Sequence, residues 1–526
     1  MRVKSALFAA LACLLLASTG VAHAAQVLHR MSEQEPETLD PQKSSSAGPL
    51  AIDRDLFTGL LTLDPDEHVV PGVAERWEIS PDGKTWTFHL RHDAKWSTGE
   101  PVTADDFVYS FRRLVDPQTA AADPSDLTQL ENFEAIVSGK EKDLTKLGVT
   151  APDPHTLKLQ LTAPRIALKF LLTDPALFPL HKASVEQWGN AWTQPEHLVG
   201  NGPFVMKSWV PQAQIVLAKN PDFYDAASVR LDEVDWIVTE DLKAGLLRYR
   251  AGELDWMVLT RQNLPWAREN LPDQLHTADG NGFGFIFFNM KHGPLADDVR
   301  LREALNLAVD RETLVTKVDP RGEKPAYGII PPIISDYTPQ HMGFKDLPMA
   351  DRLAKAKALM KQAGYGPDHP LKLKLSYTTE ESTRQLLLAI AAMWKPIGVE
   401  ITLDNMEWQV FVNITNERNY EIGYLNLVGT YDDYENGLDN FRSDAGIYNV
   451  NGYANPKFDD LFHRGGTATD PIERRKLMEQ AEQIVLDDYC LAPLEYYVRN
   501  VVVSPKLQGY VPKIIYNQSR YLSLKS

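Results

Sequence analysis

Tyr420-Glu421-Ile422-Gly423-Tyr424-Leu425-Asn426-Leu427-Val428 runs into Gly429-Thr430-Tyr431-Asp432-Asp433-Tyr434-Glu435-Asn436-Gly437, an apolar stretch that breaks into an acidic, aromatic turn. Tyr420, Ile422 and Tyr424 alternate, and Leu425, Leu427 and Val428 continue the run, so a strand is predicted that the polar residues end. Upstream, residues 371–377 alternate through Leu371, Leu373, Leu375 and Tyr377. Residues 383–395 have helical spacing through Leu387, Ile390, Ala391 and Trp394 and are closed by Pro396. Residues 398–403 form a second β-rich run and residues 408–416 a second helix. The order strand, helix, strand, helix, strand predicts parallel pairing. In open parallel sheets ligands sit beyond the carboxyl ends of the strands, here residues 378–383 and 428–436. A solvated loop after a core strand accounts for the same residues.

The chain has 526 residues, 44% hydrophobic and 24% charged, which predicts a globular protein of two or three domains. Arg2 and Lys4, the apolar stretch 6–17 and Ala22-His23-Ala24 read as a secretory leader, residues 1–24, with Cys13 inside its apolar core. The remainder is expected to be exported, and no later apolar run approaches the ~20 residues that span a bilayer. Cys490 is then the lone cysteine, so no intramolecular disulfide is expected. The net charge of −17 provides no basic footprint for nucleic acid or for a membrane surface. A solvated acidic surface explains that charge, as does attraction of cationic ligands.

Further toward the N-terminus, Trp77 and Ile79 alternate, Asp82-Gly83 signals a tight turn, and Trp86, Phe88 and Leu90 alternate on the way back, which predicts an antiparallel hairpin. Thr103 with Asp106 three residues on predicts a helix start, as does Asp470-Pro471-Ile472-Glu473. The whole run 70–91 closely resembles the signature of extracytoplasmic solute-binding proteins of the peptide, nickel and opine type, nearest to the periplasmic oligopeptide-binding proteins of ABC importers. The likeness extends in order through Leu39-Asp40-Pro41, Asp55-Leu56-Phe57-Thr58-Gly59-Leu60, Asn201-Gly202-Pro203-Phe204, Asp298-Val299-Arg300 and Asn405-Met406-Glu407-Trp408. The resemblance implies an α/β, two-lobe periplasmic binding protein fold of type II, in the large peptide-binding cluster with an extra inserted domain. It implies a first lobe from residues 25–57, 179–281 and 498–526, an inserted domain at 58–177 and a second lobe at 282–497. Gly280-Asn281-Gly282-Phe283-Gly284 reads as a flexible crossover between lobes, about which they would close.

Motifs for catalysis are missing: there is no Gly-x-Ser-x-Gly, no phosphate loop, no His-Glu-x-x-His and no Cys-x-x-Cys. No catalytic residue, cofactor or metal site is expected, although carboxylate pairs for glycoside cleavage have no sequence signature to exclude them. Asp432, Asp433, Glu435 and Asp439 fail the spacing of a calcium loop. In the peptide-binding relatives the strand at 420–428 offers its backbone to an extended peptide, with Ser45 and Ala47 matching the segment that pairs from the first lobe. Those relatives carry Trp-x-Ala-Asp-Tyr, whose Asp pairs with the peptide ammonium. Here the matching residues are Leu427-Val428-Gly429-Thr430-Tyr431, and losing such a charge partner costs roughly 2–5 kcal/mol. Asp432 or Asp433 would supply the anion if the loop is shifted. Where relatives place Arg or His for the peptide carboxylate, this chain has Thr383, Thr415 and Tyr424.

The resemblance therefore implies a monomeric binding protein that delivers an oligopeptide or peptide-like ligand to an inner-membrane permease. A non-peptide amphiphile on the same module is the alternative that Thr430 favours, and a secreted hydrolase the third reading.

Overall fold

The computed structural model describes residues 25–44, 47–379, 381–429, 431–512 and 516–525. The chain opens with β1 (Val27–Ser32) and α1 (Ala47–Leu56). It then builds a four-stranded antiparallel unit from β2 (Ala74–Ile79), β3 (Thr85–Leu90), β4 (Val149–Asp153) and β5 (Thr156–Gln160), in the order β2-β3-β5-β4. The expected hairpin is β2 and β3, with Gly83 at φ 71° in the turn. Helix α2 (Ala104–Val115) packs on this unit, opened by the reciprocal Thr103 and Asp106 capping bonds.

The chain returns with β6 (Phe204–Val210), β7 (Gln214–Lys219), β8 (Glu233–Val238), α3 (Leu242–Ala251) and β9 (Trp256–Val258), then crosses over on β10 (Leu275–Phe288). The second lobe adds β11 (Leu371–Thr378), α4 (Glu381–Trp394), β12 (Val399–Met406), α5 (Trp408–Asn416), β13 (Ile422–Val428), α6 (Tyr434–Leu438) and α7 (Pro471–Asp487). The chain then crosses back on β14 (Leu491–Val503). Among the described residues one large sheet runs β12-β11-β13-β10-β14-β9-β1-β8-β7-β6. The parallel β11–β12 and β11–β13 pairs follow from the two helical crossovers. The apolar cores segregate accordingly, one within residues 283–494, one within 60–177, and two within the lobe that holds β1 and β6–β9.

The segment 280–284, expected as a flexible crossover, lies inside β10, where the register against β14 shifts between Asp279 and Phe283. Close packing explains its glycines: a Cβ on Gly280 would meet the Tyr497 ring at 2.4 Å, and one on Gly282 the Leu427 carbonyl oxygen at 2.5 Å. The lobes are thus joined by two long paired strands. The C-terminal segment closes the first lobe, since Ser519 Oγ accepts from Arg30 (2.9 Å) and donates to Asp55 Oδ2 (2.7 Å), while the Leu524 N–H donates to Gln26 Oε1 (3.1 Å).

Candidate functional site

Strand β13 pairs along its whole length with β10, but with β11 only at Ile422 and Gly423. The Gly429 N–H donates to the Asn281 carbonyl and the Asn289 N–H to the Glu421 carbonyl, so the odd-numbered residues bond β10. By the alternation of antiparallel ladders, Tyr424, Asn426 and Val428 turn their N–H and C=O groups to the other edge, with which no strand pairs among the described residues. An extended chain of peptide units is the ligand such an edge fits.

The two faces of this edge differ. On one, Leu425 and Leu427 join Phe285, Trp408, Phe411 and Val412 around a cavity of about 230 Å³ with no charged residue in its lining. Trp408 is 56% exposed there, an open aromatic surface at the start of α5. On the other face the buried Tyr424 hydroxyl reaches Asn426 Oδ1 (2.9 Å) and Glu495 Oε1 (3.1 Å). Burial pushes the Glu495 carboxyl up to about 7 and that of Glu323 up to about 8. Arg321 holds Glu323 at 2.8 Å and Asp319 at 2.9 Å, and Arg261 of the first lobe meets the same Asp319 at 3.1 Å. Arg261 and Arg321 stand in the wall of a cavity of about 670 Å³ between the lobes, with Val258, Thr260, Gln385 and Tyr497.

The loop after β13 is partly committed to structure. Asp433 is buried, caps α6 through the Glu435 N–H (2.8 Å) and takes both arms of Arg474 at 2.7 and 2.9 Å. Its carboxyl is raised, first by burial, and both of its oxygens are engaged by an internal cation, Arg474. Asp432 accepts from the Ser335 N–H (3.0 Å) and hydroxyl (2.6 Å) and lines a cavity of about 150 Å³ with Phe170, Tyr431 and Tyr516. Tyr431 stacks on Phe170 of the inserted unit, 6.1 Å between ring centroids. Gly429 is buried against Asn281, whose Nδ2 donates to the Tyr431 carbonyl (2.8 Å).

The structure therefore brings Leu425, Leu427, Val428 and the buried Tyr424 to one edge, and Tyr431 and Asp432 to a neighbouring cavity. Thr383 is buried in α4, away from the lining of these cavities, while Thr415 joins the apolar one. Ala47 is the first residue of α1, a helical rather than extended position. Ser45 and Thr430 lie outside the described residues. Sequence reading missed Arg261, Arg321 and Glu495, which come from loops or an apolar strand with no local pattern to mark them. Exposed Trp408, at the start of a predicted helix, was the one available signal for the apolar cavity.

Residues 68–449 match the family described as bacterial extracellular solute-binding proteins, family 5 Middle. The chain is 36% identical to the periplasmic murein peptide-binding protein MppA of Escherichia coli, over 94% of each chain. It is 35% identical to the probable deoxycholate-binding periplasmic protein YgiS of the same organism, over 92% of this chain and 90% of that one. Among solved structures, Haemophilus influenzae OppA in complex with the peptide RPPGFSPFR superposes with a TM-score of 0.79 at 33% identity, over 95% of this chain and 99% of that one.

Proposed function

Because the chain belongs to the bacterial extracellular solute-binding proteins of family 5, we propose that it captures an oligopeptide or peptide-like ligand between its two lobes and delivers it to an inner-membrane ABC permease. The carrying observation is the unpaired edge of β13 from Tyr424 to Val428, with the apolar cavity on one face and the buried Tyr424–Glu495 contact on the other. Main-chain bonds along that edge give affinity that depends little on sequence, and the cavities add selectivity. Tyr424, Leu425, Leu427, Val428, Tyr431 and Asp432 are the predicted contacts. The family is one of binding proteins, which sets the hydrolase reading aside.

In this reading residues 1–24 are an export leader and the rest works in the periplasm as a monomer; no helix among the described residues is long and apolar enough to cross a membrane. The moving bodies are residues 25–57 with 179–281 and 498–526, the insert 58–177, and residues 282–497.

A second reading, a non-peptide amphiphile, is favoured by the uncharged apolar cavity beside β13 and by Thr430 in place of the relatives' Asp. Mass spectrometry of the ligand that co-purifies from the periplasm, followed by calorimetry with tri- to pentapeptides, separates the two. Peptides in the extract and heats of binding are expected; a lipid or steroid extract with no heat from any peptide would replace the first reading by the second.

A further inference from the structure

Strand β11 pairs with β13 only as far as Gly423. From Tyr424 onward the edge is open, and beside it lies the cavity of about 230 Å³ that Leu425 and Leu427 share with Trp408 and Val412 of α5. Ile447 and Tyr448 complete its mouth, and Trp408, Ile447 and Tyr448 are all exposed. Large apolar side chains left open around one concavity mark a surface that a ligand or partner covers. The Tyr448 hydroxyl donates to Asp123 Oδ2 of the inserted unit at 2.9 Å, so this mouth lies on the side of the second lobe that the inserted unit meets.

The polar residues of the lining are engaged inside the lobe. Thr415 Oγ1 donates to the Val412 carbonyl (2.9 Å), Asn440 Nδ2 to the Asn436 carbonyl (3.1 Å) and Asn451 Nδ2 to the Cys490 carbonyl (3.2 Å). Asn451 Oδ1 accepts from the Tyr453 N–H (3.1 Å), and Asn416 is exposed. The cavity is therefore walled chiefly by apolar surface. A charged group entering it from water would lose hydration without meeting a counter-charge in the lining.

Strand addition fixes which part of a ligand arrives there. Successive side chains of an extended chain point to opposite faces, and residues directly opposite in a ladder share a face. A ligand residue seated opposite Leu425 or Leu427 thus turns its side chain toward the cavity. Its neighbours turn theirs toward the face that holds the Tyr424–Glu495 contact. Size narrows the class further. An apolar cavity of about 150 Å³ holds one benzene, so the volume here matches a phenyl or indole ring and does not enclose the fused rings of a steroid.

We propose that this cavity is a side-chain selectivity subsite, which takes one aromatic or large branched aliphatic side chain of a bound peptide and rejects charged ones at that position. This rests on the reading of the β13 edge as the seat of the peptide. It adds which residue along the peptide is read, and for what chemistry. Backbone pairing supplies the affinity common to all peptides, and the cavity ranks them.

Calorimetry on the full chain tests it with tetra-alanine, the four peptides in which one alanine is replaced by phenylalanine, and the Lys and Glu versions of the position that responds. At least one Phe peptide is expected to bind tenfold or more tighter than tetra-alanine, as burial of a phenyl ring gives. Phe one residue along is expected to stay within about threefold of tetra-alanine, and Lys or Glu at the responding position to bind more weakly than Ala. Val412→Phe, which fills the cavity, is expected to bring the Phe-to-Ala ratio close to one. The ratios in the unmodified protein come first and do not depend on how a variant folds. Equal affinity of the four Phe peptides overturns the subsite and leaves the peptide reading standing, as does a Lys or Glu peptide that matches the Phe peptide. A ratio unchanged in Val412→Phe overturns it too, and no heat from any peptide overturns both the subsite and the peptide reading.

Discussion

The hydroxyl of Tyr424 lies 3.1 Å from Oε1 of Glu495, and the other oxygen of that carboxyl is buried without a hydrogen-bond partner among the described residues. Burial pushes the carboxyl up to about 7, against roughly 4.3 in an unfolded chain. Between those values the folded protein binds the extra proton, so this group's contribution to stability is full at low pH and falls as pH rises toward 7. Glu495→Gln removes the titration. Its stability relative to the parent is expected to improve by the order of 2 kcal/mol between pH 5 and pH 8, read by urea unfolding at both pH values. A constant difference between the two would show that Glu495 does not titrate there.

Position along β13 decides what a proline does. Val428 turns its N–H to the open edge, so Val428→Pro is expected to cost one ligand hydrogen bond, about 1 kcal/mol or roughly fivefold in affinity, with little change in stability. Leu427 bonds β10, and Leu427→Pro is expected to destabilise the protein by about 3 kcal/mol or more. Calorimetry with a tetrapeptide and thermal unfolding of both variants check the pattern; identical behaviour would contradict strand addition.

Asp433 and Arg474 are both buried and doubly bonded, with Glu435 sharing the second guanidinium nitrogen at 2.7 Å. Asp433→Asn is expected to destabilise by about 3–5 kcal/mol, since it breaks a buried pair from one side. Ligand affinity, measured under conditions where the variant is folded, is expected to stay within about threefold. A selective loss of free-amino peptides at unchanged stability would instead make Asp433 the ammonium anchor.

The inserted unit already touches the second lobe, through Arg165 with Glu435 at 3.3 Å, Tyr448 with Asp123 at 2.9 Å, and the Phe170–Tyr431 stack. Ligand adds contacts that favour the closed population, so the radius of gyration in small-angle scattering is expected to fall on saturation. Phe170→Ala, which removes the stack, is expected to enlarge the ligand-free protein and weaken binding by about 1 kcal/mol. An unchanged radius at saturation would count against hinge closure.

Periodicity made much of this architecture legible. The elements at 371–377, 383–395, 398–403, 408–416 and 420–428 stand within a few residues of β11, α4, β12, α5 and β13, because each buries one face and repeats its apolar residues accordingly. The Thr103 and Asp470 caps were visible because capping needs particular side chains at fixed offsets. The crossover was misread because glycine has two uses: spacing does not distinguish a bend from a place where Tyr497 and Leu427 press against the backbone. The binding residues were the least legible. Tyr424 was assigned to the site by resemblance; its side chain turns under the sheet to Glu495, 71 residues away, while its backbone lies on the open edge of β13. Arg261 and Arg321 converge from opposite lobes, a relation that only the folded chain creates.

Ser519 bonds both Arg30 and Asp55, and Leu524 reaches back to Gln26, so the first lobe is sealed by its most distant residues. A chain emerging N-terminus first exposes β1 and α1 early, yet these contacts await some 460 further residues, as the 464-residue separation of Asp55 and Ser519 measures. The lobe that starts first therefore finishes last, and its loop-closure entropy is met only at the end of synthesis.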